Sequence, residues 1–156
     1  MASLNTLNRN VAAFLDMIAV SEGTAGHGDD GYNVIVGYTY FHDYRRHPKI
    51  KVRLGHGLVS SAAGRYQFLG RTWDGLQSTL KLPDFSPASQ DQAARELIRR
   101  RSALGYVEEG QFDQAIQLCR KEWASLPGAG YGQHENGLGR LRTAYLAAGG
   151  RLAKVA

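Results

Sequence analysis

The sequence predicts an α+β fold, mostly helical with a small antiparallel β lobe. Three observations carry that expectation. Val11, Phe14, Leu15 and Ile18 recur at i, i+3, i+4 and i+7, a one-face helical pattern. The pattern then changes to short β-branched and aromatic runs, of which Val34-Ile35-Val36 is bounded by Asn33 and Gly37. From Gly64 onward the apolar spacing is helical again. With 156 residues and no internal repeat or linker, the chain reads as one domain, 1–156. A helical body with a β lobe leaves a cleft between its lobes, where ligands tend to bind.

The elements follow in chain order. Asn8 or Asn10 caps the first helix, which runs to about Ser21. Residues 23–33 are rich in Gly and Asp and read as a loop. Tyr38-Thr39-Tyr40-Phe41 is the expected partner of the first strand, and a second hairpin is expected near 50–60. Leu69, Trp73, Leu76 and Leu80 form one helical stripe. Ser86-Pro87 is a cap followed by proline at the first helical position, opening a helix that turns Ala94, Leu97 and Ile98 inward. Arg99, Arg100 and Arg101 at its end read as a mostly solvated basic surface. Phe112, Ala115, Ile116, Cys119 and Trp123 give the cleanest stripe. Pro127 to Gly132 breaks it, and a last helix with Leu138, Leu141 and Tyr145 ends at Gly149-Gly150.

Charge and composition narrow the function classes. A net charge of +5 favours an anionic partner: nucleic acid, anionic lipid or a cell-wall polymer. The basic triplet at 99–101 lacks an aromatic stacking platform or groove-reading motif, which argues against nucleic acid. No apolar run approaches the roughly 20 residues of a membrane span, so no stable membrane association is expected. Met1 to Asn10 lacks the basic and apolar blocks of a secretory leader, so the chain is expected to be made in a cytoplasm. His42 and His47 are five apart and no His-Glu-x-x-His helix is present, so neither a metal nor another cofactor is expected. Cys119, the one cysteine, lies mid-stripe and reads as core packing, not as a nucleophile.

Three constellations remain. Glu22 lies four residues after Ile18 and seven after Leu15, so a continuing helix brings its carboxylate to the apolar face, and Gly23 supplies the stop. Burial and the negative end of the helix dipole would both raise its pKa, as a general acid near neutral pH requires; the alternative is a surface Glu in a fraying last turn. In T4-type phage lysozymes a Glu is followed at fixed spacing by an Asp and a Thr. Those positions hold Gly31 and Gly37 here, so the second carboxylate of that pattern is missing. Gly64-Arg65-Tyr66-Gln67 either presents polar groups to a sugar or is a plain turn entering a helix. The glycines around Tyr131 and Gln133 make either a mobile lip that contacts carbohydrate or a helix–helix connection.

Taken together, these pieces resemble one family. Phe14-Leu15-Asp16-Met17, Ser21-Glu22-Gly23-Thr24, Val34-Ile35-Val36-Gly37, Asp43-Tyr44, His47-Pro48, Ala63-Gly64-Arg65-Tyr66-Gln67, Asp84-Phe85-Ser86-Pro87 and the stretch from Trp123 to Gln133 stand in order. They are similar to the phage lambda endolysin family of peptidoglycan lytic transglycosylases, over about residues 11 to 150. The resemblance implies a lysozyme-like fold, cleavage of the MurNAc–GlcNAc β-1,4 bond and Glu22 as the catalytic acid. It implies Asn33, Arg65, Tyr66, Gln67, Tyr131 and Gln133 as substrate-binding residues. Asn33 is a departure, since family members can carry Asp there. With one carboxylate, the muramic C6 hydroxyl would close on C1 to give a 1,6-anhydro sugar. The family likeness also implies a monomer that acts on periplasmic peptidoglycan after a separate holin permeabilises the membrane. A hydrolytic muramidase and a non-catalytic wall-binding protein are the alternative readings.

Overall fold

Asn8 opens the first helix. Its backbone is extended and its side chain accepts from the Asn10 N–H at 2.8 Å, satisfying one of the unpaired donors at a helix start. In the computed structural model, which describes residues 8–130 and 135–154, α1 then runs Arg9–Glu22. The one-face pattern understates its burial. Ala12, Ala13, Met17 and Ala19 are buried as well as Val11, Phe14, Leu15 and Ile18, because the alanines let neighbours approach the remaining faces. Asn10 secures the start of the helix, donating to Glu108 O at 3.1 Å and accepting from the Arg151 N–H at 3.0 Å.

The β region is two separate hairpins. β1 (Val34–Ile35) pairs antiparallel with β2 (Thr39–Tyr40), Val34 opposite Tyr40 and Ile35 opposite Thr39. β3 (Val52–Gly55) pairs with β4 (Leu58–Ser60) across His56 and Gly57, both at positive φ as a tight hairpin turn requires. α2 (Gly70–Leu80) buries Trp73 and Leu76, whereas Leu69, expected on the same stripe, is the exposed residue preceding the helix. α3 runs Pro87–Arg100, with the Ser89 N–H donating to Ser86 Oγ at 3.4 Å, as the Ser-Pro start predicts. The arginines at its end do lie largely at the surface, where each is also ion-paired. Arg99 and Arg100 both pair with Glu96, and Arg101 pairs with Glu122 at 2.7 Å.

A short helix that the sequence pattern did not predict, α4 (Leu104–Glu108), comes next; five residues are too few to show a helical period. α5 (Phe112–Cys119) buries Phe112, Ala115, Ile116 and Cys119 but ends there, so Trp123 is buried from the turn that follows rather than from the helix. α6 runs Leu138–Ala147 and buries Leu141 and Tyr145.

The chain divides into two compact units, Met1–Gly23 with Ala94–Ala156, and Thr24–Ala93. In the first, Phe14 meets Phe112 edge-on at 5.9 Å, and Phe112 meets Tyr145 at 4.9 Å. The Cys119 thiol is buried here and its pKa is pushed up to about 12 by that burial. In the second, Trp73 packs on Phe85 at 4.6 Å and on Phe68 at 5.2 Å. Aromatic pairs in these arrangements contribute about 0.5–1.5 kcal/mol each beyond the area they bury. His47 closes the cluster: its Nε2–H donates to Phe68 O at 2.7 Å, its Nδ1 accepts from the Lys49 N–H, and burial lowers its pKa. No helix among the described residues is long and apolar enough to cross a membrane.

Candidate active site

Glu22 is the last residue of α1. Gly23 turns out of the helix at φ 78°, and its N–H donates back to Ala19 O and Val20 O. This fixes the carboxyl at the helix end, where it is half-buried. Ser125, in the turn after α5, donates its hydroxyl to Glu22 Oε2 at 2.5 Å. Burial raises the pKa from 4.5 to about 7, and the Ser125 hydrogen bond opposes the rise without cancelling it. A carboxyl with that pKa is divided between acid and carboxylate at neutral pH, so it can give a proton in one step and take one in the next.

Behind Ser125 lies a polar group that the sequence reading did not single out. Ser21 Oγ is 2.7 Å from Ser125 Oγ. Asn136 is buried, and its Nδ2 donates to Ser21 O at 2.9 Å and to Ser21 Oγ at 3.1 Å. Arg140, on the first turn of α6, donates to Asn136 Oδ1. Ser125 and Glu22 are 103 positions apart, and no local periodicity links them. The one sequence signal was that Ser21 and Ser125 each lie inside a stretch already set apart by its resemblance.

The second unit brings together several residues that were expected to bind substrate, but it turns most of them inward. Tyr66 is 1 % exposed and donates its hydroxyl to Asp91 Oδ1 at 2.5 Å, and Tyr32 donates to the same oxygen at 2.9 Å. Burial raises the pKa of both phenols, so both stay neutral donors. Arg65 is 2 % exposed. It lies over the Tyr32 and Tyr66 rings at 5.2 and 5.7 Å and donates its Nε–H to Asp30 O at 2.9 Å. Asn33, also buried, accepts from the Asp29 N–H at 2.8 Å and so holds the glycine-rich loop. The polar groups of Asn33, Arg65 and Tyr66, three residues expected to bind substrate, are thus each engaged within the interior of this unit. Gln67 is half-buried at φ 53° and donates to Gly64 O at 3.0 Å. Gln90, missed from sequence, ties the turn down, accepting from the Arg65 N–H and donating to Tyr32 O and Phe85 O.

The acids that could serve as a water-activating base are each already engaged. Asp43 is held at about 2 by hydrogen bonds from Arg45. Asp29 accepts from the Tyr44 hydroxyl at 2.8 Å, and Asp30 accepts from the Gly26 N–H at 3.0 Å. Gly31 has φ 89°, and a Cβ there would meet Thr24 at 2.9 Å. The backbone thus strains the aspartate that a T4-type arrangement would need at this position.

In the glycine loop, Glu135 accepts from the Gly128 N–H at 2.9 Å and the Gly130 N–H at 3.0 Å. Tyr131 and Gln133, both expected to bind substrate, lie outside the described residues.

The chain as a whole is similar to solved proteins. The lysozyme of bacteriophage lambda, solved in complex with a chitohexasaccharide, matches with a TM-score of 0.90 and 46% identity over 97% of this chain and 99% of that one. A second structure described as lysozyme from bacteriophage lambda matches with a TM-score of 0.87 and 44% identity, over 96% of this chain and 99% of that one. The fold is thus lysozyme-like, an α+β body with small antiparallel hairpins. Among characterised sequences, the endolysin of Escherichia phage P2 is 48% identical over 96% of this chain and 98% of its own length. The endolysin of Escherichia phage lambda is 46% identical over 96% of this chain and 97% of its own. The endolysin family model matches residues 12–152, and the chain belongs to the endolysin family.

Proposed function

We propose that this endolysin degrades peptidoglycan as a lytic transglycosylase, with Glu22 as its catalytic residue. The observation that supports this most is the half-buried Glu22 carboxyl with a pKa of about 7. Glu22 protonates the glycosidic oxygen as the C1–O bond of the muramic residue breaks. The C6 hydroxyl of the same sugar then forms a new bond to C1, and its proton passes to the Glu22 carboxylate. The products are a free GlcNAc hydroxyl and a 1,6-anhydro-MurNAc end; the acid is regenerated and no water is consumed. A tethered hydroxyl acts at high effective concentration, so the route needs no second carboxylate. A hydrolase would need one, about 5–5.5 Å away to retain configuration or 6.5–9.5 Å to invert it. The engagement of Asp29, Asp30 and Asp43 favours the intramolecular route.

The chain is further proposed to act as a monomer on the periplasmic glycan of its host, after synthesis in the host cytoplasm and release by a separate holin. The glycan complex of the lambda lysozyme supports glycan as the ligand class. Digestion of purified sacculi in water enriched in oxygen-18 tests the reaction. Unlabelled anhydro-muropeptides, lighter than the hydrolytic product by one water, are the expected result. Label at the muramic C1 would identify a hydrolytic muramidase instead, and binding without cleavage a wall-binding protein.

A further inference from the structure

We infer that Arg140, Asn136, Ser21 and Ser125 form a one-way relay of hydrogen bonds that keeps Glu22 Oε2 an acceptor and leaves the acidic proton on Oε1. The catalytic meaning of this relay rests on Glu22 being the acid proposed above. Its direction follows from what each group can do. A guanidinium has donors and no acceptor, so the Asn136 atom that Arg140 meets is the amide oxygen. The other amide atom, Nδ2, is then a donor, and it meets the backbone carbonyl of Ser21, which can only accept. A donor-only group on one side and an acceptor-only group on the other thus fix the same orientation of this buried amide.

The remaining links follow in turn. With Nδ2 aimed at it, Ser21 Oγ accepts and sends its own hydrogen to Ser125 Oγ at 2.7 Å. Ser125, now accepting from Ser21, directs its hydrogen to Glu22 Oε2 at 2.5 Å. In a neutral carboxyl the carbonyl oxygen is the better acceptor, so the oxygen that receives this hydrogen is the unprotonated one and the proton stays on Oε1. The main chain supports the same geometry independently, since the Asn136 N–H donates to Ser125 O at 2.8 Å. Arg140, on α6, is the one charged member; Ser21 on α1, Ser125 in the turn after α5 and Asn136 before α6 are neutral. All four are positioning residues. They prepare the acid for use by aiming its proton, and chains of this kind strengthen each bond in them.

The test uses the full chain and reads Glu22 directly. The titration of its side-chain carboxyl, followed by carbon-13 NMR, does not depend on turnover; the pH profile of kcat/KM on sacculi is read beside it. In Ser125→Ala the carboxylate loses a donor, so its titration and the alkaline limb of the profile move up together by about one pH unit. Ser125→Thr keeps the hydroxyl and restores both. Arg140 is exposed, so Arg140→Met removes a donor without opening a core cavity; it shifts both readouts in the same direction by less, and Arg140→Lys, also donor-only, restores them. A folded Arg140→Met or Ser125→Ala whose Glu22 titration matches the parent overturns the relay. Full activity in Glu22→Gln would instead overturn the catalytic assignment, while the NMR titration still reports on the relay.

Discussion

Glu22 closes α1, and Gly23 leaves it in the left-handed conformation, so the carboxyl is confined where neither burial nor the helix end favours a negative charge. Folded protein therefore binds the Glu22 proton more tightly than unfolded chain does. Between pH 4.5 and about 7 the native state holds more protons, so this group's contribution to stability falls as pH rises, and the loss is complete above about 7. A shift of that size corresponds to about 3 kcal/mol. Glu22→Gln is expected to match the parent in Tm near pH 4.5 and exceed it at pH 8, while clearing of sacculi drops at least about a hundredfold, the ordinary scale of general acid catalysis. A mutant with unchanged Tm at both pH values would mean that the carboxyl is not desolvated.

Tyr66 faces Asp91 inside its own unit, so its removal should register in stability, not in ligand affinity. Tyr66→Phe deletes a hydrogen bond to a buried carboxylate and leaves Tyr32 as its phenolic partner, a loss of about 1–3 kcal/mol. Thermal unfolding should show a lower Tm with KM for sacculi within twofold of the parent. A raised KM at unchanged Tm would instead place Tyr66 at the ligand surface.

Gly31→Asp tests whether a second acid can be installed. At φ 89° an L-residue is strained by about 1–2 kcal/mol, and the added Cβ overlaps Thr24. The expected outcome is a destabilised protein whose products still carry no oxygen-18. A variant as stable as the parent that releases labelled reducing ends would show that the position tolerates a working base.

Glu135 fastens the glycine loop through two backbone N–H groups, and those bonds lower its pKa. The fastening is present above the ordinary Glu pKa and is lost as pH falls through the lowered folded value. In Glu135→Ala the amides of Gly128 and Gly130 should exchange faster at neutral pH, after correction for intrinsic rates. Unchanged protection would place the loop's restraint elsewhere.

Local patterns made much of this protein readable in advance. The spacing of Phe14, Leu15 and Ile18 up to Glu22 and Gly23 specifies a helix, its end and the face of the acid, because all are set within a few turns of one element. The hairpins and the Ser86-Pro87 start are legible for the same reason. What was hidden depends on distant partners. Nothing near Tyr66 in sequence reveals Asp91, and nothing near Arg101 reveals Glu122, 21 positions away. The Glu22 hydrogen bond needed Ser125, which tertiary structure alone brings to the helix end. α4 was missed because five residues cannot display a period.

Cys119 gives the molecule an internal clock. It is the one thiol in the chain, it lies in the first unit, and with a pKa near 12 it is both covered and uncharged at neutral pH. Only the thiolate of an uncovered cysteine reacts with an alkylating reagent, so the labelling rate counts the openings of that unit. The unit of Thr24–Ala93 contains no cysteine and contributes no signal. Labelling set against a whole-chain unfolding probe therefore separates an opening around the acid-bearing helix from a collapse of the entire protein, with no engineered reporter.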